Sequence, residues 1–342
     1  MAHVEPYRLK DGARRYRARW QGPDGRDRSR TFPLKRDAER FVLELHRQAA
    51  LGGLYQAPTQ PLGEFLDGWL VRYERRVRQS SADRVRAVVP HLGPFRRTAL
   101  DALRPADVED HISALSARAP RQAELALRVL KQVLSDAKVR GLTVNEALFR
   151  IRAPHHEPRE MRFLSWGEVD LLATNTVEPY GNLVRLAALT GLRQGELFAL
   201  RDRNIDLGAR TLTVEAGVYA GQLVPVKTRA ARRRVDLAEA ATSAVRAQLV
   251  ARPPNPLVLV FPSPQGEILN DDNFRHRVFA PAVRRTNIAG FRFHDLRHTY
   301  AALMVAAGAH PKYLQAQMGH SSIRVTLDLY GHLFPDANRG VL

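Results

Sequence analysis

Leu62, Phe65, Leu66, Trp69, Leu70 and Tyr73 recur at steps of three and four residues, and only a helix puts side chains so spaced on one face. A second stripe, Leu127, Leu130, Val133, Leu134 and Ala137, runs through 121–140 and stops at Gly141. With helical segments at about 81–91 and 105–118 and short loops between them, residues 57–152 read as a compact helical bundle. Trp69 and the leucines belong to its packing. The polar face of its first helix carries Arg72, Arg75, Arg76 and Arg78.

The pattern changes at both ends of that bundle. Upstream, residues 7–32 alternate polar with apolar side chains, Tyr16, Ala18 and Trp20 among them, around Pro23-Asp24-Gly25. That period and that turn chemistry predict a β-hairpin. Ala38, Phe41, Val42, Leu45 and Ala49 then predict a helix over 35–50 with Gly52-Gly53 as its stop. Downstream, residues 153–162 mix prolines with charges and have no period, as an interdomain linker does. His155 and His156 there lack further ligands nearby and read as linker residues. Ser165 and Glu168 form the capping box that opens the next segment. The expected division is therefore 1–56, a small sheet with one helix; 57–152, the bundle; 153–162, the linker; and 163–342, a mixed domain.

In that last part, helices are expected at about 165–174, 180–190, 193–201, 238–250, 271–286, 295–307, 311–318 and 322–330. Thr211 to Val214 and the run from Leu223 to Leu237 read as strands, and Gly308 and Gly319 as helix stops. The fold class is multidomain and mainly α with α+β parts.

Charge narrows the partner. A formal charge of +18 and a pI near 10.9 predict a polyanion. The excess is +6 in residues 1–55, +5 in 56–158 and +7 in 159–342, so a long contact with nucleic acid fits better than one basic tail. Arg15, Arg17, Arg19, Arg28 and Arg30 on the strands could enter a DNA groove or line up on phosphates, and Arg72, Arg75 and Arg76 could join a clamp. There is no cysteine, which excludes disulfides, thiolate nucleophiles and the usual structural zinc sites. The amino terminus has no apolar run and nowhere do 18 apolar residues follow one another, so neither a secretory signal nor a membrane span is expected. The location expected is the cytoplasm, at the nucleoid.

The chemistry gathers late in the chain. His294 and Arg297 stand three apart at an expected helix start and so share a face. Met318-Gly319-His320 and then Tyr330 follow at distances that one or two short helices can fold back. Two imidazoles, a guanidinium and a phenol suit a phosphate under nucleophilic attack. Arg193, in Thr190-Gly191-Leu192-Arg193-Gln194-Gly195-Glu196-Leu197, lies between apolar helical stretches where an arginine needs an anionic partner. Glu196 can supply one. Asp271-Asp272 and Asp202 with Asp206 could suggest a metal pair, but they fall beside arginine-rich stretches in apparent loops. His298 reads as a helix-face residue.

TGLRQGEL (190–197), HDLRHT (294–299), MGHSS (318–322) and Tyr330, in that order over about 140 residues, resemble the active-site motifs of the tyrosine recombinases, the phage integrase-like site-specific recombinases. Met318 stands where the family commonly has Leu. The three-part organisation also resembles the arm-binding, core-binding and catalytic parts of a phage-type integrase. The resemblance implies a C-shaped clamp on double-stranded DNA and Tyr330 as a nucleophile that leaves a 3′-phosphotyrosyl link. It implies Arg193 and Arg297 on the non-bridging oxygens, with His294 and His320 as further donors that also help manage the tyrosine proton. Lys227 would be the general acid and Glu196 a support. It implies no metal and no cofactor, a homotetramer on DNA, and accessory bending or directionality proteins. A type IB topoisomerase-like relaxing enzyme and a non-catalytic DNA-binding regulator are the alternatives. Leu333, Phe334, Val341 and Leu342 are the apolar residues beyond Tyr330.

Overall fold

The computed structural model describes residues 2–8, 14–21, 27–50, 60–153, 161–226 and 231–334. The Pro23-Asp24-Gly25 turn, Gly52-Gly53, most of the expected linker, Lys227, Val341 and Leu342 lie outside the described residues. The chain forms two compact units, Met1–Glu157 and Pro158–Leu342.

In the first unit, β1 (His3–Arg8), β2 (Arg14–Gln21) and β3 (Asp27–Phe32) make an antiparallel sheet in that order, followed by α1 (Lys35–Ala50). The sequence showed β2 and β3 but not all of β1, because His3, Glu5 and Pro6 break its apolar alternation. Tyr16, Ala18 and Trp20 face α1: Ala18 is fully buried and the Trp20 and Phe32 rings meet Phe41 at 5.2 and 5.3 Å. Register decides where the arginines go. Arg15, Arg17 and Arg19 pair across from Tyr7, Glu5 and His3 on the opposite face. Arg28 and Arg30 pair with Trp20 and Ala18, on the helix side. The five strand arginines therefore do not share one face. Arg30 lies over the Phe32 and Phe41 rings, and Arg17 lies 3.9 Å from the Tyr7 ring centroid while Glu5 approaches Arg17 and Arg19.

The bundle is α2 (Leu62–Glu74), α3 (Gln79–Val88), α4 (Pro105–Arg118) and α5 (Pro120–Val139), with 3₁₀ turns at Val89–Phe95 and Glu146–Arg150. Its core is the expected stripe: Leu62, Phe65, Leu66 and Trp69 against Leu127, Leu130, Val133 and Leu134. Prolines at the first position of α4 and α5 set φ where an N–H would have no partner anyway. Arg75 and Arg76 are exposed, whereas Arg72 is drawn inward over Phe65 and toward Asp136.

The second unit is mainly helical. Ser165 caps α6 (Trp166–Thr174) with the reciprocal Glu168 bond that its spacing predicts. After α7 (Gly181–Thr190) and a short α8 (Gln194–Phe198) come two small sheets. One is β4 (Ile205–Asp206), β5 (Thr211–Val214) and β8 (Arg233–Asp236); the other is the hairpin β6 (Ala216–Tyr219) with β7 (Gln222–Pro225). Then follow α9 (Glu239–Ala251), α10 (Asp271–Asn273), a π-helical turn at Phe274–Phe279, α11 (Ala280–Arg285), α12 (Asp295–Ala306), α13 (Pro311–Met318) and α14 (Ile323–Tyr330). Pro281 cannot donate to the turn before it, which accounts for the widened π turn. The Asp271-Asp272 pair thus opens a helix and is not in a loop. Two apolar clusters result. The larger packs α6, α7 and α9 around Phe198, Phe261, Phe274 and Phe293. The smaller holds α12, α13 and α14 together through Tyr300, Val305, Leu314, Met318 and Tyr330, with Leu333 and Phe334 packed against it.

Candidate active site

Gly191 ends α7 in the left-handed region at φ +62°, and an added Cβ there would lie 2.4 Å from a Tyr300 ring carbon. The tight turn lets its carbonyl accept a hydrogen bond from the Arg297 guanidinium. Two residues on, Arg193 donates its backbone N–H to Glu196 Oε2 and its Nη1 to Glu196 Oε1, both at 2.9 Å. Gly195 allows the β6 backbone to come close: a Cβ would lie 2.8 Å from the Val218 carbonyl. The β6–β7 hairpin is seated on α8 in this way.

Glu196 has a second partner that the sequence did not single out. Arg233, on β8, gives Nη1 to Oε1 at 3.1 Å and Nη2 to Oε2 at 2.9 Å, a two-pronged bond inside the protein. Arg233 is 9% exposed and its Nε reaches the Gln317 carbonyl at 2.6 Å. It was hidden within Arg232-Arg233-Arg234; only the alternation of strand β8, buried at 233 and 235 and exposed at 234 and 236, marks it.

Phe291 and Phe293 are buried while Arg292 and His294 are not, so alternation along this segment carries His294 to the start of α12. Asp295 fixes the entry by accepting from the Arg292 backbone at 2.8 Å and from its guanidinium at 2.9 Å. One turn into α12, Arg297 is 4% exposed and donates to the Met318 carbonyl at 2.6 Å. The C-terminal carbonyls of α13 thus meet three arginines: Gln317 with Arg233, Met318 with Arg297, and Gly319 with Arg193 at 3.5 Å. These are the carbonyls a helix leaves without partners, at its negative end. Gly319, at φ +64°, leaves room for the arrangement, since a Cβ would lie 2.9 Å from Arg233 Cδ. The turn bearing His320 is thereby tied to the segment bearing Arg193.

His320 Nδ1 pairs with Thr326 Oγ1 at 2.8 Å, which leaves Nε2 as the nitrogen available to a ligand. Its ring stacks on Tyr330 at 6.4 Å between centroids. Tyr330, at the end of α14, is 1% exposed, and its Oη lies 2.8 Å from His298 Nδ1. That contact corrects the reading of His298 as a mere helix-face residue.

Titration follows from burial. The Tyr330 phenol is pushed up to about 12 by burial, with Arg297 acting the other way. His320 is pushed down to about 4 by burial and by Arg297, Arg193 and Arg233, so it is neutral at physiological pH. His294 moves in the same direction through surrounding protein, His298 and Arg297, though its ring keeps contact with solvent, which tempers the shift. Burial lowers Arg297 to about 9, still a cation near neutrality. Arg193 and Arg233 share the Glu196 carboxylate while Arg297 is held by backbone carbonyls, so three guanidinium groups against one carboxylate leave unmatched positive charge, the field that a phosphodiester gaining charge in its transition state requires.

The structure brings together Arg193, Glu196, His294, Arg297, His320 and Tyr330. Among the described residues no group of three or more His, Asp or Glu side chains is placed to hold a metal: Asp202 is bound to Arg252 and Asp271 to Gln194. No helix of the described residues is long and apolar enough to cross a membrane.

The model of the phage integrase family matches residues 167–336. A putative prophage phiRv2 integrase of Mycobacterium tuberculosis is 27% identical over 337 residues, spanning 92% of this chain and 88% of that protein. Among solved structures, the Tn1549 transposon integrase in complex with transposon right end DNA superposes with a TM-score of 0.72 at 18% identity, over 82% of this chain and 98% of that one. Lambda integrase superposes as a dimer bound to a COC′ core site (TM-score 0.65, 16% identity, 98% and 95% covered) and as a tetramer bound to a Holliday junction (0.62, 16%, 93% and 95%). At these identities the solved structures show the fold.

Proposed function

Through its C-terminal unit the chain belongs to the phage integrase family of tyrosine recombinases, and from that premise we propose that it is a site-specific integrase, cleaving and rejoining duplex DNA through a 3′-phosphotyrosyl intermediate. The observation that carries this reading is the tie between the α13 carbonyls and the arginines, which gathers Arg193, Arg297 and His320 beside the buried Tyr330. Tyr330 Oη attacks the phosphorus and the 5′-oxygen leaves; the energy of the broken bond is kept in the phosphotyrosyl ester, so a second DNA end can reverse the step without ATP. Arg297 has five N–H donors and spends two bonds on carbonyls, so others remain for the non-bridging oxygens beside those of Arg193. His294 and His320, as neutral imidazoles, add donors. Lys227 serves as general acid for the leaving oxygen, and Glu196 positions Arg193.

The wider assignments belong to the same proposal. Residues 1–56 bind arm-type sites, 57–152 bind the core site, 153–162 link them to the catalytic domain 163–342, and a homotetramer performs strand exchange with accessory DNA-bending proteins. Integration and excision of a phage or mobile element is the use that this organisation serves, in the cytoplasm at the nucleoid. The face bearing Arg15, Arg17 and Arg19 and the exposed Arg75 and Arg76 are the surfaces for phosphate contact, with Arg28 and Arg30 reaching DNA only at the sheet edge and Arg72 as a support.

Three measurements test this. A nicked suicide substrate carrying the attachment core should trap protein on DNA, whereas a regulator without catalysis would trap none. Supercoiled plasmid lacking that core should stay supercoiled at low enzyme; its relaxation would move the reading to a topoisomerase. A protein lacking residues 1–55 should cleave core sites at the full rate and lose recombination that depends on distant arm sites. Undiminished recombination by the truncated protein would remove the arm-binding role.

A further inference from the structure

We propose that His298 is a catalytic residue, the group that accepts the Tyr330 proton during cleavage; the proposal rests on the reading of Tyr330 as the nucleophile. Two imidazoles, His298 and His320, meet the Tyr330 ring and a third, His294, meets His298, and they differ in what their nitrogens do. His320 lies parallel to the Tyr330 ring, with an interplanar angle of 12°, and commits Nδ1 to Thr326. His294 meets the His298 ring edge-on at 5.1 Å. Only His298, among the described hydrogen bonds, places a ring nitrogen on Tyr330 Oη. Because 294, 297 and 298 are i, i+3 and i+4 on α12, one helix face presents a phosphate-binding guanidinium and a proton acceptor together.

The step balances without an outside reagent. As the Oη–P bond forms and the P–O5′ bond breaks, the phenolic proton passes to His298 Nδ1 and the 5′-oxygen takes a proton from the general acid assigned to Lys227. On rejoining, the 5′-hydroxyl returns its proton to that lysine and His298 reprotonates the leaving phenolate. An acceptor is needed because the buried phenol stays protonated near neutral pH. His298 can serve as that acceptor, since burial first, then Arg297 and Arg292, lower its pKa against the opposing pull of Asp295. The other titratable groups facing it are His294 on its own element, Tyr330 on α14 and His320 on the turn before it. A neutral imidazole is therefore present to receive the proton.

The test is single-turnover formation of covalent complex on the nicked suicide substrate by the full-length protein. His298→Asn keeps a neutral hydrogen-bonding group near the Nδ1 position but cannot take up a proton; His298→Ala keeps neither. Both should slow the step on the order of a hundredfold or more near neutral pH, bind DNA as the wild type does, and regain rate steadily as pH rises toward ionisation of the phenol. A 5′-bridging phosphorothiolate, whose leaving sulfur needs no proton, should leave both slow. A His298→Asn protein as fast as wild type would reduce the contact to orientation, and a faster variant would make it a latch on the nucleophile; either overturns the proposal. Should both variants fail to bind DNA, a more acidic fluorotyrosine at 330 in the otherwise wild-type protein decides. An acid limb that stays in place supports His298, and one that moves with the phenol's acidity overturns it. Absence of covalent complex in the wild type would instead reject the recombinase reading itself.

Discussion

Tyr330→Phe should bind core DNA with wild-type affinity and form no covalent complex, on nicked or intact substrate, at any time of incubation. The loss is total because the change deletes the attacking oxygen, whereas loss of a single transition-state donor leaves a slowed reaction, typically by on the order of a hundredfold to a thousandfold. The fold should survive the change. The ring stays in the cluster of Tyr300, Val305, Leu314 and Met318, and what disappears is one hydrogen bond to His298. Leaving a buried polar partner unsatisfied costs about 1–3 kcal/mol, and the half-buried His298 can turn to water for part of that. Denaturing gels of trapped complexes read the chemistry, and equilibrium binding on the same DNA reads the fold. Persistence of trapped complexes in Tyr330→Phe would send the search to another nucleophile. Tyr313 and Tyr300 are the nearest candidates in sequence, but the Tyr313 hydroxyl donates to Asp236 at 2.9 Å and the Tyr300 ring is packed on Gly191.

How much of this was legible beforehand depended on the range of the interaction. The bundle stripe of Leu62 to Trp69, the Ser165–Glu168 box and the helix stops at Gly308 and Gly319 are set by residues within a turn or two of each other, and the sequence displayed them. Arg193 with Glu196 is likewise a local pair. Arg233 is not. Its carboxylate lies 37 residues away and its carbonyl 84, and nothing in Arg232-Arg233-Arg234 distinguishes the middle residue until strand pairing buries it. The His298–Tyr330 contact spans 32 residues and depends on how α14 lies against α12, which no spacing rule fixes. The split of the strand arginines between two faces had the same origin. It follows from the register of β3 on β2, which sets Arg28 and Arg30 across from Trp20 and Ala18 and away from Arg15, Arg17 and Arg19.

The buried Glu196 joins these local and distant parts, and its removal is expected to have the second-largest effect. Breaking a buried ion pair at one partner costs about 3–5 kcal/mol because the other charge is left without compensation. For a unit of this size that lowers the melting temperature by on the order of 10 °C. Glu196→Leu strands Arg233 among buried neighbours, and Arg233→Met leaves Glu196 with the partly exposed Arg193. The double variant, Glu196→Leu with Arg233→Met, should recover most of the stability, since apolar groups of similar volume can replace a buried pair without loss. It should not recover cleavage, because Arg193 loses the carboxylate that holds it and the Gln317 carbonyl loses its donor beside His320. Stability and activity thus separate in one cycle. A double variant no more stable than the singles would deny the charge pair its role, and one that cleaves at the wild-type rate would deny Arg193 its need of Glu196. The acid limb supplies an independent reading. Burial raises the Glu196 pKa, but the hydrogen bonds and charge of Arg233 and then Arg193 outweigh it, and the net shift is downward from 4.5. A carboxylate shifted that way contributes stability in full above about pH 4.5 and loses it as pH falls through its lower folded value. His320, lowered from 6.5 to about 4, adds its own loss across that window as pH falls. The comparison that isolates the carboxylate is therefore wild type against Glu196→Gln: the variant starts less stable near neutrality, and the gap should close as the pH falls below the range in which Glu196 is ionised.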